Sequence, residues 1–573
     1  MLARRATIKT ARVTQTPHLI DKFPLHLGRV LRTVFHLKPS QIWYQALRRF
    51  QSRFENPATI QRRIPSRSEW ELSDVATSVP LEEPVLLQPV DKLANSTFCF
   101  LNREETLTAS TLWDASALPR LWQYNLHYFD WLWSMLNEGP DGWKLAKNFA
   151  SDWIENHPPQ KGATGWEPYP TSLRLINWCL LFLGHWRDST LADQEFCNQL
   201  SLSIWRQYQW LARHVEYNIM ANHLLENAVA LAVGGRFFTG DFGRQIGRMG
   251  NSLCRQQLNE QILADGLHFE RSPMYHARVC WLTRLLADCG DDETRSLAQS
   301  KLPSMHHAMQ CMLHPDEDIS LFNDAASRIY SLPSFSKTRH PGPWALPYAG
   351  YYGSLSLNGD YIVCDCGEIG PDYQPGHAHA DTLSFEWSLG GERFITDTGT
   401  LEYAVGDARS YDRSTLAHNT VTIDNQNSSE VWGAFRVGRR CIPQVCCWTL
   451  SDDGFELSAE HHGFRLWKHR RTFLYSADQL ILTDEVDGKG PASVCSTLHF
   501  APNVRLAVEK SQVIAVLGQK RVCISVVGTD FSLSVKPTRY SPEFGISMAR
   551  QTLSISTSVS GNARWVTKFQ VSR

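Results

Sequence analysis

The chain has 573 residues, more than one hydrophobic core can serve, so two or three domains are expected. At 43% hydrophobic and 20% charged residues it is an ordinary globular chain, and a formal net charge of −1 excludes a global binder of nucleic acid. The 14 cysteines contain no CxxC pair, which argues against zinc ribbons and secreted disulfide frameworks.

The start, MLARRATIKTARVTQTPHLIDKF, is basic but lacks the apolar stretch of a secretory signal, and no apolar run reaches transmembrane length. Cytoplasmic residence is expected of the sequence as it stands, and periplasmic or secreted residence if the start is incomplete. LIDKFPLHLGRVLRTVF and SQIWYQALRRFQSRF carry apolar residues at three-to-four spacing. Residues 1–95 therefore read as a helical arm that ends in a Pro- and Glu-rich linker, SVPLEEPVLLQPVDK.

From 96 to 345 the period is helical. RLWQYNLHYFDWLWSML, SLRLINWCLLFLGHW, LSIWRQYQWLARHVEYNIMANHLLENAVALAV and VCWLTRLLADC are predicted helices, with Gly234-Gly235 expected to stop one of them. Successive helical hairpins point to a bundle or an α/α toroid. The many tryptophans here suit either helix packing or stacking on sugar rings. From 346 to 573 the period changes to two. YGSLSLNGDYIVCDCG, TLSFEWSL, NTVTIDN, FELSAEHHGFRLWKHRRTFLYS, QLILTDEVDG, SQVIAVLG, RVCISVV and FSLSVKPT alternate as strands of an antiparallel sandwich. The class is α+β and multidomain, with a cleft expected where the halves join.

Three polar clusters stand near that join. In MANHLLENAVAL, Asn222, His223 and Glu226 share adjoining faces of an otherwise apolar helix. They form either a buried packing network or a site. In DGLHFERSPMYHAR, Tyr275 follows Pro273 at the start of a helix. In GHAHADTLSFEW, His377 and His379 introduce a strand, and Asp397 and His418 stand at the edges of later strands. Two histidines and a carboxylate, here His379, Asp397 and His418, suit a divalent metal such as zinc. No Walker loop, GxSxG elbow, HExxH or Rossmann fingerprint appears.

In this order, LWQYNLHYFDWL, ANHLLENA, DGLHFERSPMYH, GHAHADTLSFEW and STLAHNTV resemble the heparinase II/III-like polysaccharide lyases, which include glycosaminoglycan and alginate lyases. The resemblance spans roughly residues 110–500 and leaves the arm unmatched. It implies an incomplete α/α toroid followed by antiparallel β-sheets, and β-elimination at a uronic acid. It implies catalytic roles for Asn222, His223, Tyr275 and His377, with Glu226 assisting. It places a structural metal, zinc with manganese or calcium as alternatives, on His379, Asp397 and His418, where His461 or His462 could replace His418. Tyr411 and Arg413 resemble a segment lining the cleft. Tyr124, His127, Trp166 and Arg271 are further candidates for substrate contact.

A lyase must stabilise the charge that gathers on the uronate carboxylate, remove the C5 proton and protonate the departing oxygen. Asn222, with His223 or a protonated Glu226, suits the first task. Tyr275 suits the other two, provided positive charge lowers its phenol from pKa ~10. His377 suits the base role for the opposite C5 geometry. His377 is expected to face the substrate while His379 faces the metal. An anionic glycosaminoglycan is the favoured substrate; alginate or another polyuronate is the alternative, with neither nucleic acid nor a membrane as partner. Arg409, Arg413, Arg436, Arg439 and Arg440 form either an anion-binding edge or a solvated one. Two other functions remain open. One is an inverting glycoside hydrolase using Glu226 with Glu270 or Asp265, the other a non-catalytic polysaccharide-binding or assembly protein.

Overall fold

The computed structural model describes residues 25–55, 58–66, 69–73, 83–160, 162–332, 340–451, 453–476, 478–509, 512–528 and 530–572. The basic start and the first part of the predicted linker lie outside the described residues.

Two N-terminal helices come first, α1 (Leu25–Val34) and α2 (Pro39–Phe54). The fixed φ of Pro39 suits the first turn of α2. The α part follows as α3 (Arg120–Tyr128), α4 (Gly139–Asn156), α5 (Pro168–Leu180), α6 (Gln194–Arg213), α7 (Ala221–Phe237), α8 (Gly240–Gln261), α9 (Pro273–Cys289) and α10 (Asp292–Cys311). The first predicted helix breaks at Phe129, whose φ of 58° admits only a 3₁₀ stretch, Asp130–Glu138, beyond it.

α7 is the central helix. His223, Gly235 and Arg236 are its only residues that escape full burial. Gly234-Gly235 does not stop it, because α7 runs on to Phe237. The glycines instead let α7 sink onto α8: a Cβ on Gly235 would stand 2.2 Å from Gly247 Cα. Trp122, Trp131, Trp133, Trp153, Trp178 and Trp205 fill the toroid core. Packing, rather than sugar binding, accounts for these rings.

The β part opens with a five-stranded antiparallel sheet in chain order, β1 (Gly342–Leu346), β2 (Tyr351–Leu355), β3 (Tyr361–Asp365), β4 (Phe385–Leu389) and β5 (Glu392–Ile395). An eight-stranded sheet and a four-stranded sheet follow, built from residues 421–572. Phe385, Trp387, Phe455, Phe473 and Phe569 form the core between sheets. β4 begins at Phe385, later than the alternation suggests, because Leu383 takes a φ of 65° that a strand cannot continue. A third core joins the α and β parts through Leu267, Met274, Met309, Tyr351, Val363 and Tyr540. Among the described residues no helix is long and apolar enough to cross a membrane.

Candidate active site

The site is built where three chain segments meet. The first is the start of α7. Met220 (φ 67°) and Ala221 (φ 50°) hold backbone that L-residues avoid, at about 1–3 kcal/mol each. That strain turns Asn222 so that its backbone N–H donates to Glu270 Oε1 at 3.2 Å. His223 pairs through Nδ1 with Glu216 Oε1 at 3.1 Å, and its ring lies 4.3 Å from that of Tyr169. Burial alone would depress the imidazole pKa. The carboxylates of Glu216, Glu270 and Glu226 outweigh it and favour the cation. Glu226 is not a proton donor here: Arg278 grips it twice, at 2.6 and 3.1 Å, and both are buried.

The second segment is the turn at Asn323-Asp324. Asn323, at φ 58°, accepts from His379 N–H at 3.0 Å and donates to Arg271 O at 3.1 Å. Asp324 is fully buried and meets three side chains. Its Oδ2 pairs with His377 Nδ1 at 2.8 Å and its Oδ1 with His379 Nε2 at 2.8 Å. The Arg409 guanidinium bridges both oxygens, with Nη2 donating to Oδ2 at 2.7 Å. Burial pushes the carboxyl pKa up, but Arg409 and the two histidines hold it well below the usual carboxylate range. His377 and His379 were expected to face apart. Residues 376–384 are irregular, so strand alternation does not apply, and both rings turn to Asp324.

The third segment is the start of α9, where the Ser272 side chain caps the helix by accepting from Tyr275 N–H at 3.4 Å. The Tyr275 ring stands 4.2 Å from that of His377, and its hydroxyl lies 3.2 Å from the hydroxyl of Tyr403. Burial raises both phenols well above their ordinary range; the Asp324 carboxylate adds to the rise in both, and the Arg409 guanidinium opposes it at Tyr403. Among the described residues no cation lowers Tyr275 as the sequence argument requires. The Arg409 guanidinium sits over Tyr403 instead, 4.9 Å from its ring. Glu270 completes the group. Its Oε2 is buried, has no hydrogen-bond partner and lies 3.8 Å from His377 Nε2, and burial raises its pKa.

Asn222, His223, Tyr275 and His377 thus gather around Glu270 and Asp324. Several other expectations are corrected. His127 and Trp166 are core residues: Trp153 Nε1 donates to His127 Nδ1 at 3.2 Å, and Trp166 Nε1 donates to His157 O at 3.0 Å. Arg271 donates to Ala349 O at 2.9 Å and fastens the α part to the sheet. Arg413 donates to Ala378 O at 3.1 and 3.0 Å and secures the histidine loop; burial lowers its pKa to about 9. Tyr411 lies beside Arg539, 5.5 Å from ring to guanidinium, and Tyr403 takes the place beside Tyr275. Arg439 and Arg440 donate to backbone carbonyls and Arg409 holds Asp324, so of the five arginines considered Arg436 alone stays exposed, 4.7 Å over the Trp432 ring. Tyr124 meets the site only through intervening rings, of which Tyr128 and Tyr169 are buried in an apolar cluster. Its ring continues a row from His223 through Tyr169 and Tyr128, at spacings of 4.3, 5.9 and 6.3 Å.

The expected metal ligands are close but do not form a ligand set. Among the described residues, no three His, Cys, Asp or Glu side chains are arranged to hold a metal ion. His418 Nδ1 pairs with Asp397 Oδ2 at 2.6 Å, and the His379 and His418 rings are 5.4 Å apart. His461 lies elsewhere, with its Nδ1 accepting from Gly463 N–H at 3.1 Å. Even so, His379 Nδ1, His418 Nε2 and Asp381 Oδ2 are buried without hydrogen-bond partners. Two imidazole nitrogens and a carboxylate oxygen are chemically suited to a divalent cation.

Two sequence families match the chain: Heparinase II/III N-terminus over residues 116–335, and Heparinase II/III-like, C-terminal, over residues 338–570. Similar proteins include the FtsZ-localized protein C of Caulobacter vibrioides, 24% identical across 56% of each chain. They also include a heparin-sulfate lyase of Pedobacter heparinus, 24% identical across 48% of this chain and 47% of its own length. The chain thus spans about half the length of these relatives. Among solved structures, heparinase III superposes with a TM-score of 0.66 at 18% identity, over 78% of this chain and 76% of its own. A heparan sulfate lyase mutant from Pedobacter heparinus gives 0.60 at 17%, over 90% and 87%. These structures share the fold of an α toroid followed by antiparallel sheets.

Proposed function

From the premise that this chain belongs to the heparinase II/III-like family, we propose that it cleaves a uronate-containing polysaccharide, a glycosaminoglycan, by β-elimination. The observation that carries this reading is the contact between Tyr275 and His377, 4.2 Å between rings, with Glu270 linking His377 to the backbone of Asn222. A similar protein is named a heparin-sulfate lyase, which supports the choice of substrate.

Each group has a task. A uronate carboxylate placed over the start of α7 meets the Asn222 carboxamide and the His223 cation. Donors fixed in advance of the reaction are worth about 10²–10³ in rate. Asp324 pairs with His377 Nδ1, which orients the ring so that its Nε2 is the nitrogen placed to take the C5 proton. Tyr275, kept neutral by burial, then donates its proton to the departing C4 oxygen. The division differs from one in which a tyrosinate does both jobs. It follows from the absence of a cation beside Tyr275 and the presence of Asp324 behind His377. The hydrolase reading loses its pair of carboxylates, because Glu226 is bound to Arg278.

We further propose a divalent cation, zinc or one of similar preference, held by the unpartnered His379 Nδ1, His418 Nε2 and Asp381 Oδ2, with Asp397 orienting His418. Its task would be to tie the histidine loop to the sheet rather than to act on substrate. The purified protein is expected to carry close to one metal ion per chain by elemental analysis, and its melting temperature should fall on treatment with a chelator. A metal-free protein with an unchanged melting temperature would exclude the ion.

The test of the activity is to incubate the protein separately with heparan sulfate, hyaluronan, chondroitin sulfate and alginate, following the ultraviolet absorbance of the new C4–C5 double bond. Rising absorbance with one polymer is the expected result. New reducing ends without absorbance would replace elimination by hydrolysis.

A further inference from the structure

We propose that the N-terminal helices form a clasp that closes one end of the cleft and restricts the enzyme to the ends of polysaccharide chains. This rests on the lyase reading of the site. The clasp has three points of attachment. α1 grips the β part: Arg32 donates to both oxygens of Glu430 at 2.8 and 2.7 Å, and Thr33 Oγ1 accepts from Trp432 Nε1 at 3.1 Å. α2 grips the toroid: Tyr44 stacks on Tyr217 at 4.7 Å, and Gln45 accepts from Asn218 at 3.0 Å. Arg48 also donates to His214 O.

The turn between α1 and α2 touches both walls at once. Lys38 pairs with Glu260 of α8 and lies 3.8 Å from the centre of the Tyr373 ring. The buried Gln41 donates to Tyr373 O at 3.2 Å, and Tyr373 donates to Glu260 at 2.9 Å. Three independent anchors of this kind are more than a loosely attached arm requires.

The anchored segments run directly into the site. Tyr217 and Asn218 lead into Asn222, and Glu216 between them and His214 holds His223. Asp372-Tyr373 leads into His377. Trp432 leads into Phe435, whose ring stands 5.8 Å from that of His377. The opposite end of the site has a different character. There the rings of Tyr169 and Tyr128 are buried in an apolar cluster beyond His223, and the half-buried Tyr124 is the member of that row nearest the surface. A polymer can leave past Tyr124, but at the other end it meets Tyr373 and Lys38. Only a chain terminus fits such a site.

The experiment compares the full chain with an Arg32→Glu, Lys38→Glu variant that repels both anchors. A milder Tyr44→Ala, Gln45→Ala variant serves if the first fails to fold, with melting curves as the check. Solution viscosity and double-bond absorbance are followed together on the responding polymer. The wild type is expected to form double bonds with little loss of viscosity, releasing short products from the outset. The opened variant should lose the same viscosity at several-fold fewer cleavages. Early viscosity loss by the wild type, or an unchanged ratio in a folded variant, overturns the clasp. If the wild type forms no double bonds on any uronate polymer, the lyase reading fails separately. Hydrogen exchange then decides on the clasp: faster exchange at residues 214–220 and 372–377 in the variant supports the closure, and unchanged exchange overturns it.

Discussion

An Asp324→Asn variant should lose most of its activity and several kilocalories of stability together. Asp324 is fully buried, and its carboxylate contacts Arg409, His377 and His379 at once. The amide keeps the shape but leaves the Arg409 guanidinium buried without its counter-charge, which costs about 3–5 kcal/mol. It also frees His377 to adopt either tautomer, and the wrong one presents a proton where a base is needed. A loss on the order of 10²–10⁴ in kcat is expected from that change. Denaturant melts and double-bond absorbance on the same preparation measure the two effects. The stability effect has a defined pH dependence. The folded-state pKa of Asp324 is depressed, so its contribution is fully present above the ordinary carboxylate range. It is lost as pH falls through the depressed value. The gap between wild type and variant should therefore narrow in acid. A gap that is constant with pH would mean that packing, not charge, is what Asp324 supplies.

Tyr275→Phe is expected to separate activity from stability. The ring contact with His377 at 4.2 Å survives the change, and only a hydroxyl facing Tyr403 at 3.2 Å is lost. Melting temperature should shift little, because the partner hydroxyl is neutral and the bond it loses is worth about 1 kcal/mol. kcat should fall by roughly 10²–10⁴, the usual worth of a positioned acid, with KM nearly unchanged. A variant that keeps wild-type kcat would remove Tyr275 from the proton path and leave Tyr403 as the hydroxyl to test next.

The two halves of the chain are readable because each is long and strongly periodic. A helix such as α7 or a strand pair such as 454–476 leaves a pattern that no local exception hides. The members of the site that lie inside such patterns, Asn222 and His223 on α7 and Tyr275 on α9, are readable for the same reason: each is a polar break in an apolar run. Asp324 is not. One aspartate after an asparagine looks like any turn, and its importance comes from Arg409 and two histidines that only folding delivers. The arginines mislead in the other direction. Sequence shows a charge at Arg413 but not that Ala378 O will consume it. His127 and Trp166 mislead because a buried ring with a polar edge and a sugar platform have the same composition. Glu270 had a place in the hydrolase argument, but its unpaired oxygen next to His377 appears only in three dimensions.

The apolar seam between the α and β parts bears on how such proteins can be recombined. Leu267, Met274 and Met309 on one side, with Tyr351, Val363 and Tyr540 on the other, belong to a single interior divided between two stretches of chain. Tyr275 is a member of the same seam and also of the site. A toroid moved onto a foreign sheet would thus bring a mismatched inner surface to the residue that donates the proton. Exchange of whole halves between relatives is therefore constrained by the chemistry itself.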